Sequence, residues 1–136
     1  RVDGLSGIIT TLAGAGEKVS SGDGGPAPKA AMVEPNDMAF STDGSKLYVA
    51  DVTGHRVRVI NLKTDTIATL AGTGEAKAYG NGGPAARAGV YEPRAVAVAA
   101  DDTVYIMERR GSAIRAVDPK TGIIRQAAGT AGAVGG

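Results

Sequence analysis

The sequence predicts an all-β fold made of tandem four-stranded antiparallel sheets, and three observations carry that prediction. The chain has 136 residues and repeats itself at a spacing of 57–58. Each repeat resolves into four short apolar runs separated by turn residues. Runs such as Leu47-Tyr48-Val49-Ala50 are apolar on both faces, which suits a sheet covered by neighbours on either side. At an offset of 58, residues 7–42 and 65–100 share 16 identities in 36 positions, Gly24-Gly25-Pro26-Ala27 falling on Gly82-Gly83-Pro84-Ala85 and Glu34-Pro35 on Glu92-Pro93. After a one-residue deletion near Asp101 the offset becomes 57, and Leu47-Tyr48-Val49 matches Val104-Tyr105-Ile106. Arg1–Ile9 repeats the pattern of Ala116–Ile124, so a third copy shows at the two ends.

The elements follow in order. The first run, 37–41, stops at Thr42-Asp43-Gly44-Ser45, a turn signal. The second, 46–50, stops at Asp51-Val52-Thr53-Gly54; the third, 56–62, alternates through Arg56-Val57-Arg58-Val59; the fourth, 66–71, ends before Gly72. Connectors of about 20 residues follow, 15–34 and 73–92, in which Pro26 and Pro84 stand ahead of alanine-rich segments suited to one or two helical turns. Four-stranded units in tandem predict β-propeller blades. The expected organisation is the outer strand of a preceding blade over 1–14, one full blade over 35–72 and a second over 93–129. Alanines in 95–99 would let inner strands crowd near the axis. A ring needs about 4–8 blades, so about two blades and an extra outer strand make an incomplete ring. The expected partners are other blades, from a longer parent chain or from identical copies, three two-bladed chains supplying six. The chain opens on Arg1 and closes on Gly-Thr-Ala-Gly-Ala-Val-Gly-Gly, a run without turn or capping logic, which is the expectation for a piece of something longer or a processed or engineered product.

Composition narrows function. Fifteen basic and fourteen acidic residues leave a net charge of +1, which gives no overall pull towards nucleic acid or anionic membrane. The longest uninterrupted apolar run, 95–100, is far too short for a membrane-spanning helix. The absence of cysteine removes thiolate metal sites, disulfides and cysteine nucleophiles, and the single histidine removes any multi-histidine metal site within one chain. No cofactor is expected, and no serine or threonine stands in a nucleophile elbow.

Connectivity places the second-to-third strand turns and the long connectors on one rim. The candidate binding-face residues there are Asp51, His55, Arg56, Tyr79, Glu108, Arg109 and Arg110, since loops on a rigid scaffold usually carry recognition. His55 titrates nearest neutrality, but its sequence neighbours favour a turn residue bonded to backbone. Asp51 and Glu108 hold equivalent positions and can accept turn N–H groups or pair with Arg58 or Arg115, which themselves recur at one blade position. Asn36, Asp37 and Arg94, at the starts of the inner strands, are candidate channel residues. The segment 22–26 lacks the helix start of a phosphate loop and the alternating carboxylates of a calcium loop, so it reads as a shaped connector needing positive φ. Glu75, Glu92, Asp51 and Glu108 dilute the basic residues of the rim, which argues against RNA.

The motifs Gly-Ile-Ile-Thr-Thr-Leu-Ala-Gly (7–14), Ser-Gly-Asp-Gly-Gly-Pro-Ala (21–27), Leu-Tyr-Val-Ala-Asp (47–51) and Gly-His-Arg-Val-Arg-Val-Ile (54–60) resemble the NHL repeat, in the long bacterial-type version. The resemblance covers nearly the whole chain twice. It implies a propeller, commonly six-bladed, serving mostly binding or scaffold roles, with some lyase- or lactonase-type enzymes among relatives. An enzyme of that kind would use Asn36, Asp37 and Arg94 with metal ligands from other blades. The resemblance alone suggests an extracellular or periplasmic location. The second repeat departs from the pattern where Glu108–Ala113 replaces Asp51–Arg56, so His55 has no counterpart. The leading expectation is a non-enzymatic module that binds a protein or other macromolecule through its loop-rich face; a self-assembling structural element and an enzyme fragment are the alternatives.

Overall fold

Alternating strands and tight turns fold into two meanders. The computed structural model describes residues 1–130; the glycine-rich end singled out in the sequence lies outside them beyond that point. The first sheet contains β1 (Pro35–Phe40), β2 (Lys46–Asp51), β3 (Arg56–Asn61) and β4 (Thr66–Ala71). The second contains β5 (Pro93–Val98), β6 (Val104–Glu108), β7 (Ala113–Val117) and β8 (Ile124–Gly129). Each is antiparallel throughout, in chain order. Bulges fall at matching places, Pro35/Asp37 with Pro93/Ala95 and Val57/Arg58 with Ile114/Arg115, so the repeat extends to the irregularities.

Side-chain acceptors set the turns. Asn61 Oδ1 accepts the N–H groups of Lys63 and Thr64, Asp118 Oδ1 those of Lys120 and Thr121, and Asp3 Oδ1 those of Leu5 and Ser6. These three turns occupy one place in three successive repeats, because a carboxylate or amide at the end of the strand satisfies the chain as it reverses. Over 1–14, where the sequence suggests an outer strand, the backbone pairs only at the Val2–Ile9 bridge, the counterpart of Val117–Ile124. Further along, Gly14 N–H donates to Ala27 O at 3.2 Å.

Each connector closes the outer edge of the blade that follows it. Gly24 N–H donates to Ile67 O at 2.7 Å and Ile67 N–H to Gly25 O at 3.1 Å; Gly82, Ile124 and Gly83 repeat the pair. This covers the unpaired edges of β4 and β8. The expected helical turns are single 3-10 turns, Ala27–Lys29 and Ala85–Arg87. Gly22 holds a φ of +86°, and a Cβ there would lie 2.7 Å from Ala30 Cα, so the connector folds back only with glycine.

The central core lies between the sheets. Tyr48, Ala50, Val57 and Ala71 of the first meet Val96, Val104, Ile106, Val117 and Ile124 of the second, with Ala85, Ala88 and Val90 of the connector filling between. Polar clasps join the inner strands: Val96 N–H donates to Asp37 Oδ2 at 3.0 Å, Asn36 Nδ2 to Arg94 O at 2.9 Å, and Thr42 N–H to Asp102 Oδ1 at 2.9 Å. A smaller core covers the other face of the first sheet, where Leu47, Val49, Ile60 and Ile67 meet Ala27 and Ala30. The sheets do not close on each other, and among the described residues no helix is long and apolar enough to cross a membrane.

Candidate functional site

The loop-rich rim rests on two buried arginines. Arg58 donates from Nη1 to Ala31 O at 3.0 Å and Ser20 Oγ at 3.2 Å, and from Nη2 to Ser21 O at 2.9 Å and Asp23 Oδ1 at 2.8 Å. Arg115 donates to Gly89 O at 3.3 Å, Tyr79 O at 3.0 Å and Glu108 Oε1 at 3.0 Å. Each planar fork thus pins its connector to the blade. Asp51 and Glu108, candidates for the binding face, lie beneath it. Asp51 is buried and accepts the N–H groups of Val33 at 3.1 Å and Glu34 at 2.7 Å. Glu108 is buried against Arg115, and its carboxyl is pushed up to about 7 by burial, with Arg115 pulling the other way. Gly54 and Gly111 make room for these carboxylates, since a Cβ at either would strike them.

The remaining rim residues divide into inward braces and outward side chains. His55, with a positive φ of 51°, accepts the N–H of Glu92 at Nδ1 (3.2 Å) and meets the Tyr91 ring edge-on at 5.5 Å. Burial holds its pKa below the ordinary value. It is a turn residue latching one blade to the start of the next. Arg56 donates to Thr73 O at 2.8 Å, and Tyr79 OH bonds to Thr73 Oγ1 and Glu75 Oε2, so both brace the connector. Arg109 and Arg110 stand outward, their side chains 56% and 59% exposed, each in a salt bridge with Glu92 Oε2 (3.5 and 3.6 Å). Glu92 is the rim residue the sequence undervalued: it faces His55 through its backbone and both arginines through its side chain. At the axis, Asp37 and Asn36 are spent on the inter-blade clasps, and Arg94 is exposed. Among the described residues no three His, Cys, Asp or Glu side chains are grouped to hold a metal ion.

No protein-family model and no curated protein matches the chain. Solved structures do. A protein of unknown function from Bacteroides thetaiotaomicron aligns with a TM-score of 0.69 at 24% identity over 82% of this chain and 28% of its own. A luciferin-regenerating enzyme aligns with a TM-score of 0.52 at 16% identity over 74% of this chain and 31% of its own. Hydrazine synthase from Kuenenia stuttgartiensis aligns with a TM-score of 0.50 at 21% identity over 88% of this chain and 27% of its own. The chain therefore spans under a third of the length of these structures. Identities this low speak for the fold, which is that of two β-propeller blades, an open part of a ring.

Proposed function

We propose that the chain is an NHL-type propeller module without catalytic activity of its own, part of a larger ring, which binds a protein or other macromolecule through its loop-rich rim. The observation that carries this reading is the division of that rim. Asp51, Glu108, Arg56, Tyr79 and His55 are consumed in holding it rigid, while Arg109 and Arg110 project from it as the cationic pair left for a partner. Exposed side chains on a braced loop bind with little ordering cost. An acidic or carboxylate-rich partner surface fits them, with Glu92 restraining their affinity for polyanions. The test is affinity capture from the source organism with the wild type beside Arg109→Ser/Arg110→Ser. Loss of specific partners in the variant supports the reading; identical captured sets overturn it.

A second reading, ring completion by identical copies, draws on a specific feature. Leu12, Met38, Phe40, Leu47 and Leu62 line an apolar groove of about 400 Å³ at one end of the pair of blades, and Met107 and Ile114 are exposed at the other. Light scattering decides it: a monodisperse trimer is expected, and a monomer at high concentration contradicts it.

A further inference from the structure

Each repeat serves as a control for the other. Among the described residues, the non-glycine residues with a positive φ are His55, Asp65, Glu92, Asp102 and Ser112. Four of them share that conformation with their counterparts in the other repeat: His55 with Ser112, Asp65 with Gly122, and Asp102 with Gly44. Glu92, at 51°, does not, since its counterpart Glu34 lies outside the left-handed region. Both glutamates precede a proline, Pro35 or Pro93, a place that favours extended backbone. A left-handed glutamate is strained and persists only where its surroundings hold it.

The hydrogen bonds show what holds it. The carbonyl of the glutamate is anchored alike in both connectors: Val52 N–H donates to Glu34 O and Arg109 N–H to Glu92 O, each at 3.0 Å. The peptide just before it is not. In the first connector Glu34 N–H donates to the carboxylate of its own blade, Asp51 Oδ1, at 2.7 Å. In the second, Glu92 N–H donates instead across the blade junction to His55 Nδ1 at 3.2 Å. At the other end of that peptide, Tyr91 O accepts Gly111 N–H at 3.3 Å. Glu108 stands where Asp51 stood and is left without this donor, its Oε2 buried and unpartnered. A buried acceptor without a donor is destabilising.

We propose that the peptide joining Tyr91 to Glu92 is a two-position switch: in this structure it latches the second blade to His55 of the first, and a flip to the position of the 33–34 peptide delivers the Glu92 N–H to Glu108 Oε2. The latched position carries a strained φ and an orphaned carboxylate oxygen. The flipped position relieves both and gives up the bonds of His55 and Gly111. The carbonyl anchor on Arg109 and the Arg115–Glu108 pair serve both positions. The switch also reaches the rim. Latched, the half-buried Glu92 holds Arg109 and Arg110 in salt bridges, whereas Glu34, in the other position, is exposed. The flip thus uncovers the arginine pair, and an acidic partner that displaces Glu92 from it favours the flip in return. That consequence rests on the rim reading above; the switch itself does not.

The test is nuclear magnetic resonance of the free chain, with His55→Gly and His55→Asn beside the wild type. Glycine and asparagine both tolerate the positive φ of residue 55. Glycine removes the acceptor, while asparagine keeps one, its Oδ1 standing where Nδ1 stood. The wild type and His55→Asn should show the strong amide-to-α Overhauser contact within Glu92 that marks positive φ. In His55→Gly this contact should weaken while the Glu92 amide stays slow to exchange. The Glu108 carboxyl should then titrate nearer the ordinary carboxylate value than in the wild type, having gained a donor. Glu92→Val, whose branched side chain resists positive φ, should move the Glu108 titration the same way with His55 in place. A rapidly exchanging Glu92 amide in His55→Gly, a Glu108 titration unmoved in both His55→Gly and Glu92→Val, or His55→Asn behaving as His55→Gly would each overturn the proposal. These readouts need no partner, so a rim that captures nothing leaves them intact.

Discussion

The two blades solve one problem in two ways. Each buries an arginine at the same strand position, Arg58 or Arg115, and each needs an anion for it. In the first blade the anion comes from the connector: Asp23 reaches Arg58 from a half-exposed position, and Asp51 is left to hold the N–H groups of Val33 and Glu34. In the second blade Asn81 stands where Asp23 stood. There the longer Glu108 replaces Asp51 and pairs with Arg115 from within the sheet, both side chains fully shielded from water. The charge has moved from the rim to the interior. A pair that water can reach is forgiving when one partner is lost; a sealed pair is not.

That contrast orders the experiments. Arg115→Met strands Glu108 in the interior and should cost about 3–5 kcal/mol in denaturant unfolding. Arg58→Met leaves Asp23 free to turn to water and should cost about 1–3 kcal/mol, mostly for the carbonyls it abandons. Equal losses would remove the distinction. Moving the anion back sharpens it. Glu108→Asp alone should destabilise by withdrawing the carboxylate from Arg115, and adding Asn81→Asp should recover part of the loss, with a coupling of about 0.5–3 kcal/mol in a double-mutant cycle.

The blades also differ in what covers them. Ala50 and Val57 are sealed by the second blade, whereas their counterparts Met107 and Ile114 are 45% and 39% exposed. Val57→Thr should therefore cost about 1–3 kcal/mol for a buried hydroxyl without a partner, and Ile114→Thr within about 0.5 kcal/mol, as on a surface.

A further contrast is in pH dependence. The Glu108 carboxyl, near 4.5 when unfolded and raised to about 7 by burial, binds its proton more tightly in the folded state. Its stabilising contribution is full below pH 4.5 and is lost as pH rises through about 7. His55, lowered from 6.5 by burial, acts oppositely, its contribution being present above that value and lost as pH falls through its folded-state pKa. Protonation would also cost Nδ1 its bond from Glu92 N–H. Urea midpoints between pH 4 and 9 should lose their alkaline decline in Glu108→Gln and their acid decline in His55→Ser.

Much of the fold was legible because the repeat is long and its hydrophobic pattern simple. Strand order, turn positions and the connector's backbone demands all follow from residues that recur at 57–58. The shared rim of His55, Arg56 and the connectors also followed from strand direction. Depth was harder. The sequence offers Asp51 and Glu108 both as rim residues and as partners of turn N–H groups or of Arg58 and Arg115, but only three-dimensional packing shows the glycines that admit them to the interior. The linked exchange of Asp23 for Asn81 and Asp51 for Glu108 was a usable signal, visible on alignment of the repeats. The bond Asp37 accepts was not legible, because its partner, the Val96 N–H, is a backbone group that no sequence pattern marks.

The account stands on the two repeats being neighbouring blades packed face to face. Nuclear Overhauser contacts of the Tyr48 ring test this most directly. Cross-peaks to the methyl groups of Val104 and Val117, together with slow exchange of the Val96 amide, are the predicted result. A Tyr48 ring that sees only its own repeat, with a rapidly exchanging Val96 amide, would contradict it.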